Sequence, residues 1–241
     1  MNKSKPSKEK LMRRVFNLEK LYHTVDVSRP VKFTKRADST RAPSNIFIFA
    51  SSFNPPTIAH GSLIKIACSN PSCDELLLVL SIDHIAKTTF SATIAQRLLM
   101  IEELVGDNPK ISIAITLTGS FLQMVDDFRE YYRTGKFSFI MGLDNFREML
   151  DYNTAEKLDT FFINNSVYIA PRGNVDTESI IMQANPSWRK NILAVKFPKE
   201  LRNYSATTIR RAIKQGTMYK GLVDISVHNI IVALKLYQQS Y

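Results

Sequence analysis

The sequence predicts an α/β fold: a doubly wound parallel sheet of five to six strands with helices on both faces, preceded by a basic amino-terminal extension. Three observations predict it. From Asn45 onward, short apolar runs rich in β-branched and aromatic residues alternate with segments of helical periodicity, as strands covered on both faces require. A chain of 241 residues with 44% hydrophobic and 22% charged content suits one core of ordinary size. No stretch approaches the roughly 18 to 20 uninterrupted apolar residues of a membrane helix, and charges run through the first thirty residues where a secretory signal would be apolar. These features imply a protein without a membrane span, placed in the cytoplasm, with nucleus and mitochondrion left open.

Within residues 1–44, Leu11, Val15, Leu18 and Tyr22 recur at helical spacing, which predicts an amphipathic helix lying on the main domain or on a partner. Pro30 and the polar run from Thr34 to Ser44 read as a linker. The formal charge of +10 is concentrated here: residues 1–44 hold twelve Lys/Arg against four Asp/Glu, leaving +2 for the remainder. If nucleic acid is bound at all, this arm is the element expected to bind it.

From residue 45 to 241 the expected strands are 46–50, 76–82, 111–116, 137–141, 167–170 and 192–197. Helices are expected near 58–69, 92–105, 119–133, 144–159, 177–184, 206–214 and 225–238. Cys68 and Cys73 have no second cysteine pair to complete a zinc site and read as ordinary thiols.

A doubly wound sheet binds ligands beyond the carboxyl ends of its strands. After the first strand of this domain comes Ser51-Ser52-Phe53-Asn54-Pro55-Pro56-Thr57-Ile58-Ala59-His60, running into a helix. There is no G-x-G-x-x-G, and Gly135-Lys136 lacks the rest of a phosphate-binding loop, which disfavours hydride-transferring dinucleotide enzymes and P-loop ATPases. The helix start itself offers free backbone N–H groups and a positive dipole end to an anion. Thr57 and His60, three residues apart, can direct a hydroxyl and an imidazole at one phosphate. The architectural alternative is that Thr57 caps the helix and His60 is a satisfied histidine.

This segment resembles the motif G-S-F-N-P-x-H-x-G-H of the class I nucleotidyltransferases, and among them of the nicotinamide/nicotinate mononucleotide adenylyltransferases, whose fold is Rossmann-like. Ser52, Phe53, Asn54, Pro55 and His60 are in register, while Ser51 and Ala59 replace glycines and Thr57 replaces the first histidine. Threonine there is similar to the phosphopantetheine adenylyltransferases. Two further segments match in order. Phe139-Ile140-Met141-Gly142-Leu143-Asp144 resembles the family's G-x-D, which implies ATP ribose binding by Gly142 and Asp144. Tyr204-Ser205-Ala206-Thr207-Thr208-Ile209-Arg210 is similar to I-S-S-T-x-I-R, which implies that Ser205, Thr207 and Arg210 hold the β and γ phosphates. Helix capping is the alternative for Asp144 and for Ser205 and Thr207.

The resemblance implies ATP and a pyridine mononucleotide as ligands, and AMP transfer giving a dinucleotide and pyrophosphate. His60, Thr57 and Arg210 become the expected catalytic residues, and Ser52 and Phe53 join the ATP-binding set. Ser51, Asn54, Lys87, Phe90, Arg97 and Arg172 are expected at the acceptor, with packing or solvation as the alternative for Lys87, Phe90 and Arg97. Mg²⁺ is expected on the ATP phosphates, since no carboxylate cluster cages it. The family's L-P-x-W segment is replaced by Asn145-Phe146-Arg147-Glu148-Met149-Leu150, and the cytidylyltransferase signature R-T-x-G-I-S-T is absent. A sister enzyme with another phosphorylated acceptor and a nucleotide- or RNA-binding module are the competing expectations; homo-oligomerisation is left open.

Overall fold

A computed structural model of the chain describes residues 6–38, 42–82 and 92–238. Helix α1 (Lys8–Tyr22) is followed by strand β1 (Val31–Lys35), and β2 (Asn45–Ala50) opens the alternating part of the chain. There, α2 (Ile58–Ser69), β3 (Glu75–Ser81), α3 (Ile94–Val105), β4 (Ile111–Thr116), α4 (Phe121–Arg129) and β5 (Lys136–Gly142) follow in turn. Next come α5 (Leu143–Asp151), α6 (Ala155–Asn164), β6 (Ser166–Ala170), α7 (Thr177–Gln183), β7 (Ile192–Ala194), α8 (Ala206–Lys214) and α9 (Ile225–Ala233).

The seven-stranded sheet has the order β1-β4-β3-β2-β5-β6-β7. Every pairing is parallel except β1 with β4. From β2 the chain first builds toward β3 and β4, then returns to place β5, β6 and β7 on the other side of β2. The order therefore reverses between β2 and β5, and the strand ends there, Ala50 and Gly142, border the crevice in which sheets of this kind bind their ligands.

Strand alternation divides the core. Phe47 and Phe49 face α1, α2, α3, α8 and α9, whereas Ile46 and Ile48 face α4, α5, α6 and α7. Every α-helix start but that of α5 is fixed by a side-chain cap, with reciprocal boxes at Thr57/His60 and Thr93/Gln96.

The structure differs from the sequence expectation in the linker and in the helix expected over 144–159. The run expected as a linker begins with β1, which adds an antiparallel edge strand, and the Ala37 amide continues inward to Ser112 Oγ at 2.8 Å. Val31 is 3% exposed and the Phe33 ring lies 5.1 Å from that of Tyr131, so alternating apolar residues hold the segment despite its charge. The amphipathic helix lies on the main domain, one of the two placements its pattern suggests: Leu11 (1% exposed) and Leu18 (8% exposed) join the core beside α3, and Arg14 bonds Glu102 at 2.9 Å and also Glu103. Finally, the single helix expected over 144–159 is two helices. Asn153 Nδ2 donates to the Met149 carbonyl at 2.7 Å at the end of α5, and Thr154 caps α6.

Candidate active site

The turn between β2 and α2 is held from inside. Phe53 takes a left-handed backbone conformation (φ 44°), uncommon for a bulky residue, and its fully buried ring packs 5.4 Å from Phe49 and 5.2 Å from His60. The expectation that Phe53 binds ATP is therefore corrected for its side chain, which is closed off by that packing. Ser52 is exposed on the turn, and Ser51, at the end of β2, places Oγ 3.3 Å from His60 Nε2.

Thr57 and His60 hold each other. The Thr57 amide donates to His60 Nδ1 at 2.9 Å, and the His60 amide donates to Thr57 Oγ1 at 3.3 Å. An amide has no lone pair to offer, so Nδ1 is the acceptor and the ring proton resides on Nε2. Burial pushes the His60 pKa down to about 4, which keeps the ring neutral at pH 7. The result is a neutral Nε2–H donor at the amino end of α2. The expectation that Thr57 aims its hydroxyl at a phosphate does not fit: Thr57 is 1% exposed and its Oγ1 lies within 2.9 Å of His60 Nδ1, engaged in the cap.

Asn54 ties this turn to the rest of the site. It is 2% exposed; its Oδ1 accepts from the Ala92 amide at 3.4 Å and from the Tyr237 hydroxyl at 2.9 Å. Its carbonyl accepts from Arg210 Nη1 at 2.7 Å. These bonds engage Asn54 Oδ1 and its carbonyl within the protein. Arg210 also donates through Nη2 to Thr207 Oγ1 at 3.1 Å, so residues 156 positions apart in sequence meet. Arg97, 1% exposed, donates Nε to the Ala92 carbonyl at 2.8 Å, while among the described residues its buried Nη2 has no hydrogen-bond partner. Burial lowers its pKa to about 10. Its surroundings include Tyr237 and a second guanidinium, that of Arg210. Ser205 caps α8, its Oγ 2.9 Å from Thr208 Oγ1.

Across the crevice, Gly142 precedes the first turn of α5, and among the described residues none beyond its chain neighbours and the adjoining helix backbone comes within 4 Å of the place a Cβ would occupy there. Asp144, in that turn, is exposed and paired with Arg172 from the loop after β6. Lys87 and Phe90 lie outside the described residues. The sequence expectation places Tyr237 in a helix over 225–238 and gives it no role at the site, whereas α9 ends at Ala233 and Tyr237 lies in the turn that follows. Its contact spans 183 residues, and no local pattern announces it.

The carboxyl ends of β2 and β5 thus carry two clusters, one around His60, Asn54 and Arg210 and one around Asp144 and Arg172. A family model described as cytidylyltransferase-like matches residues 48–212, an interval that contains both. The chain belongs to that family. Its member from Campylobacter jejuni (strain 81116), described as "Probable nicotinate-nucleotide adenylyltransferase", is 28% identical over 120 residues, which span 48% of this chain and 66% of the relative. A Cytophaga hutchinsonii protein of the same description is 25% identical over 198 residues, or 80% of this chain and 97% of the relative. Among solved structures, nicotinic acid mononucleotide adenylyltransferase from Plasmodium falciparum, complexed with NaAD, superposes with a TM-score of 0.64 at 19% identity. That superposition covers 80% of this chain and 97% of that one.

Proposed function

We propose that the protein is an adenylyltransferase that transfers AMP from ATP to a pyridine mononucleotide, with nicotinate mononucleotide the acceptor named most often among its relatives. The observation that carries the reading is the neutral His60 Nε2–H, fixed by the Thr57 amide and joined through one turn to Arg210.

A 5′-phosphate oxygen of the acceptor attacks the α phosphorus of ATP. The bond from that phosphorus to the bridging oxygen breaks, and pyrophosphate leaves. The attacking oxygen is already ionised near neutral pH, so neither a protein nucleophile nor a general base is required. The work left to the protein is placement and stabilisation of charge. His60 donates Nε2–H to the α phosphate without giving up its proton. Arg210, with Thr207 and Ser205 at the start of α8, holds the departing pyrophosphate. Asp144 accepts hydrogen bonds from the ATP ribose hydroxyls through the carboxylate lone pairs that Arg172 leaves open. Thr57, Asn54 and Phe53 position these groups from behind.

Among the described residues, no three His, Cys, Asp or Glu side chains gather to hold a metal ion. Magnesium fits this reaction as an ion carried by phosphate oxygens and water, where it screens the triphosphate charge.

The test is incubation of the purified chain with ATP-Mg²⁺ and a panel containing nicotinate mononucleotide, nicotinamide mononucleotide and phosphopantetheine. An adenylylated pyridine product with equimolar pyrophosphate is expected. Product from phosphopantetheine alone would move the assignment to another acceptor, and no product from any acceptor would defeat it.

A further inference from the structure

After α9 the chain does not simply end its helix. Residues 234–237 form a turn in which both Lys235 (φ 53°) and Tyr237 (φ 64°) are left-handed, although neither is glycine. Such conformations are unfavourable for ordinary side chains and persist only where the surroundings impose them. The Leu236 amide donates to the Ile231 carbonyl at 3.0 Å, and the Leu236 side chain is 6% exposed. The turn is thus anchored on α9 and folds Tyr237 back toward the crevice. There its hydroxyl meets Asn54 Oδ1 at 2.9 Å, in the region shared by Arg97 and Arg210.

Asn54 is the residue that joins the β2–α2 turn to α8, because its carbonyl receives Arg210. Its amide group has two described restraints on Oδ1, and the bond from Ala92 is the long one at 3.4 Å. Tyr237 supplies the shorter restraint. We propose that Tyr237 is a positioning residue for adenylyl transfer, fixing Asn54 so that His60 and Arg210 address the same triphosphate. The inference rests on the proposed function.

Tyr237→Phe in the full chain keeps the ring and removes the hydroxyl. Losing one hydrogen bond that orients the reacting groups is expected to lower kcat about tenfold. KM for both substrates should stay within about threefold, because the hydroxyl touches neither substrate in this account. The variant is then placed in an Asn54→Ala background. A residue acting through Asn54 loses its effect there, so the second substitution should lower kcat no further. A lowered melting temperature with unchanged kcat would overturn the inference, as would fully additive losses in the double variant. Either result leaves the proposed function standing. A wild-type chain inert toward every acceptor defeats both.

Discussion

The Thr57 amide and His60 Nδ1, 2.9 Å apart, fix which nitrogen of the imidazole carries the proton. Because an amide supplies that bond, it survives replacement of the Thr57 side chain. Thr57→Val is expected to cost about 1 kcal/mol in chemical denaturation through loss of the α2 cap. Its kcat should remain within about threefold of wild type, since the hydroxyl is turned inward. A hundredfold loss of kcat would instead put that hydroxyl on the transferring phosphate.

His60→Ala removes the donor itself. The expected loss in kcat is about a hundredfold or more, the scale of one hydrogen bond formed to developing charge, in a protein whose unfolding transition remains cooperative. Unchanged turnover in the folded variant would defeat the role given to His60.

The same ring predicts a pH dependence. Its folded pKa is lowered to about 4 by burial, below the ordinary value of about 6.5, so the folded state takes up this proton less readily than the unfolded chain. The associated stability is complete above about pH 6.5 and declines as pH falls toward 4. Proton NMR of the imidazole, assigned by the signal missing from His60→Ala, is expected to show a midpoint near 4. A midpoint near 6.5 would mean that water reaches the ring freely.

The sheet was legible because β2 to β7 are apolar on both faces and separated by capped helices. The strand-to-helix turn at Ser51 to His60 was legible because its residues are contiguous. What local pattern could not show was the direction of each side chain. Thr57 and Asn54 both lie in the turn, yet both point into protein, at 1% and 2% exposure. Tyr237 was invisible because its partner lies 183 residues away, and β1 was hidden by lysines alternating with Val31 and Phe33. Charge is a weak guide to an edge strand, since edges are where lysine is tolerated.

Asp144 and Arg172 form an exposed pair, with side chains 61% and 60% accessible. Such pairs add little to stability, so Arg172→Ala should change the unfolding free energy by less than about 0.5 kcal/mol. Asp144→Ala should be equally mild in stability but raise KM for ATP about tenfold, because the ribose loses a charged acceptor. Calorimetry with a non-hydrolysable ATP analogue separates the two. Equal affinity of wild type and Asp144→Ala would remove Asp144 from the ribose.

The amino-terminal helix offers the last test, because charge composition and packing give opposite expectations for it. A solvated basic arm would tolerate truncation of any of its side chains. The structure instead buries Leu11 to 1% exposure beside α3, while Met12, its neighbour, is 56% exposed. Burying a leucine removes apolar area from water, and truncating it also leaves a cavity that the surrounding helices close only in part. Leu11→Ala should therefore destabilise the protein by about 2 to 4 kcal/mol in urea, and Met12→Ala by less than about 0.5 kcal/mol. The denaturant slope should stay the same for both, because α1 unfolds together with the sheet. Equal, negligible effects would detach α1 from the domain. A large loss at Leu11 alone makes the helix a layer of the fold, its basic side chains a consequence of the face it leaves to solvent.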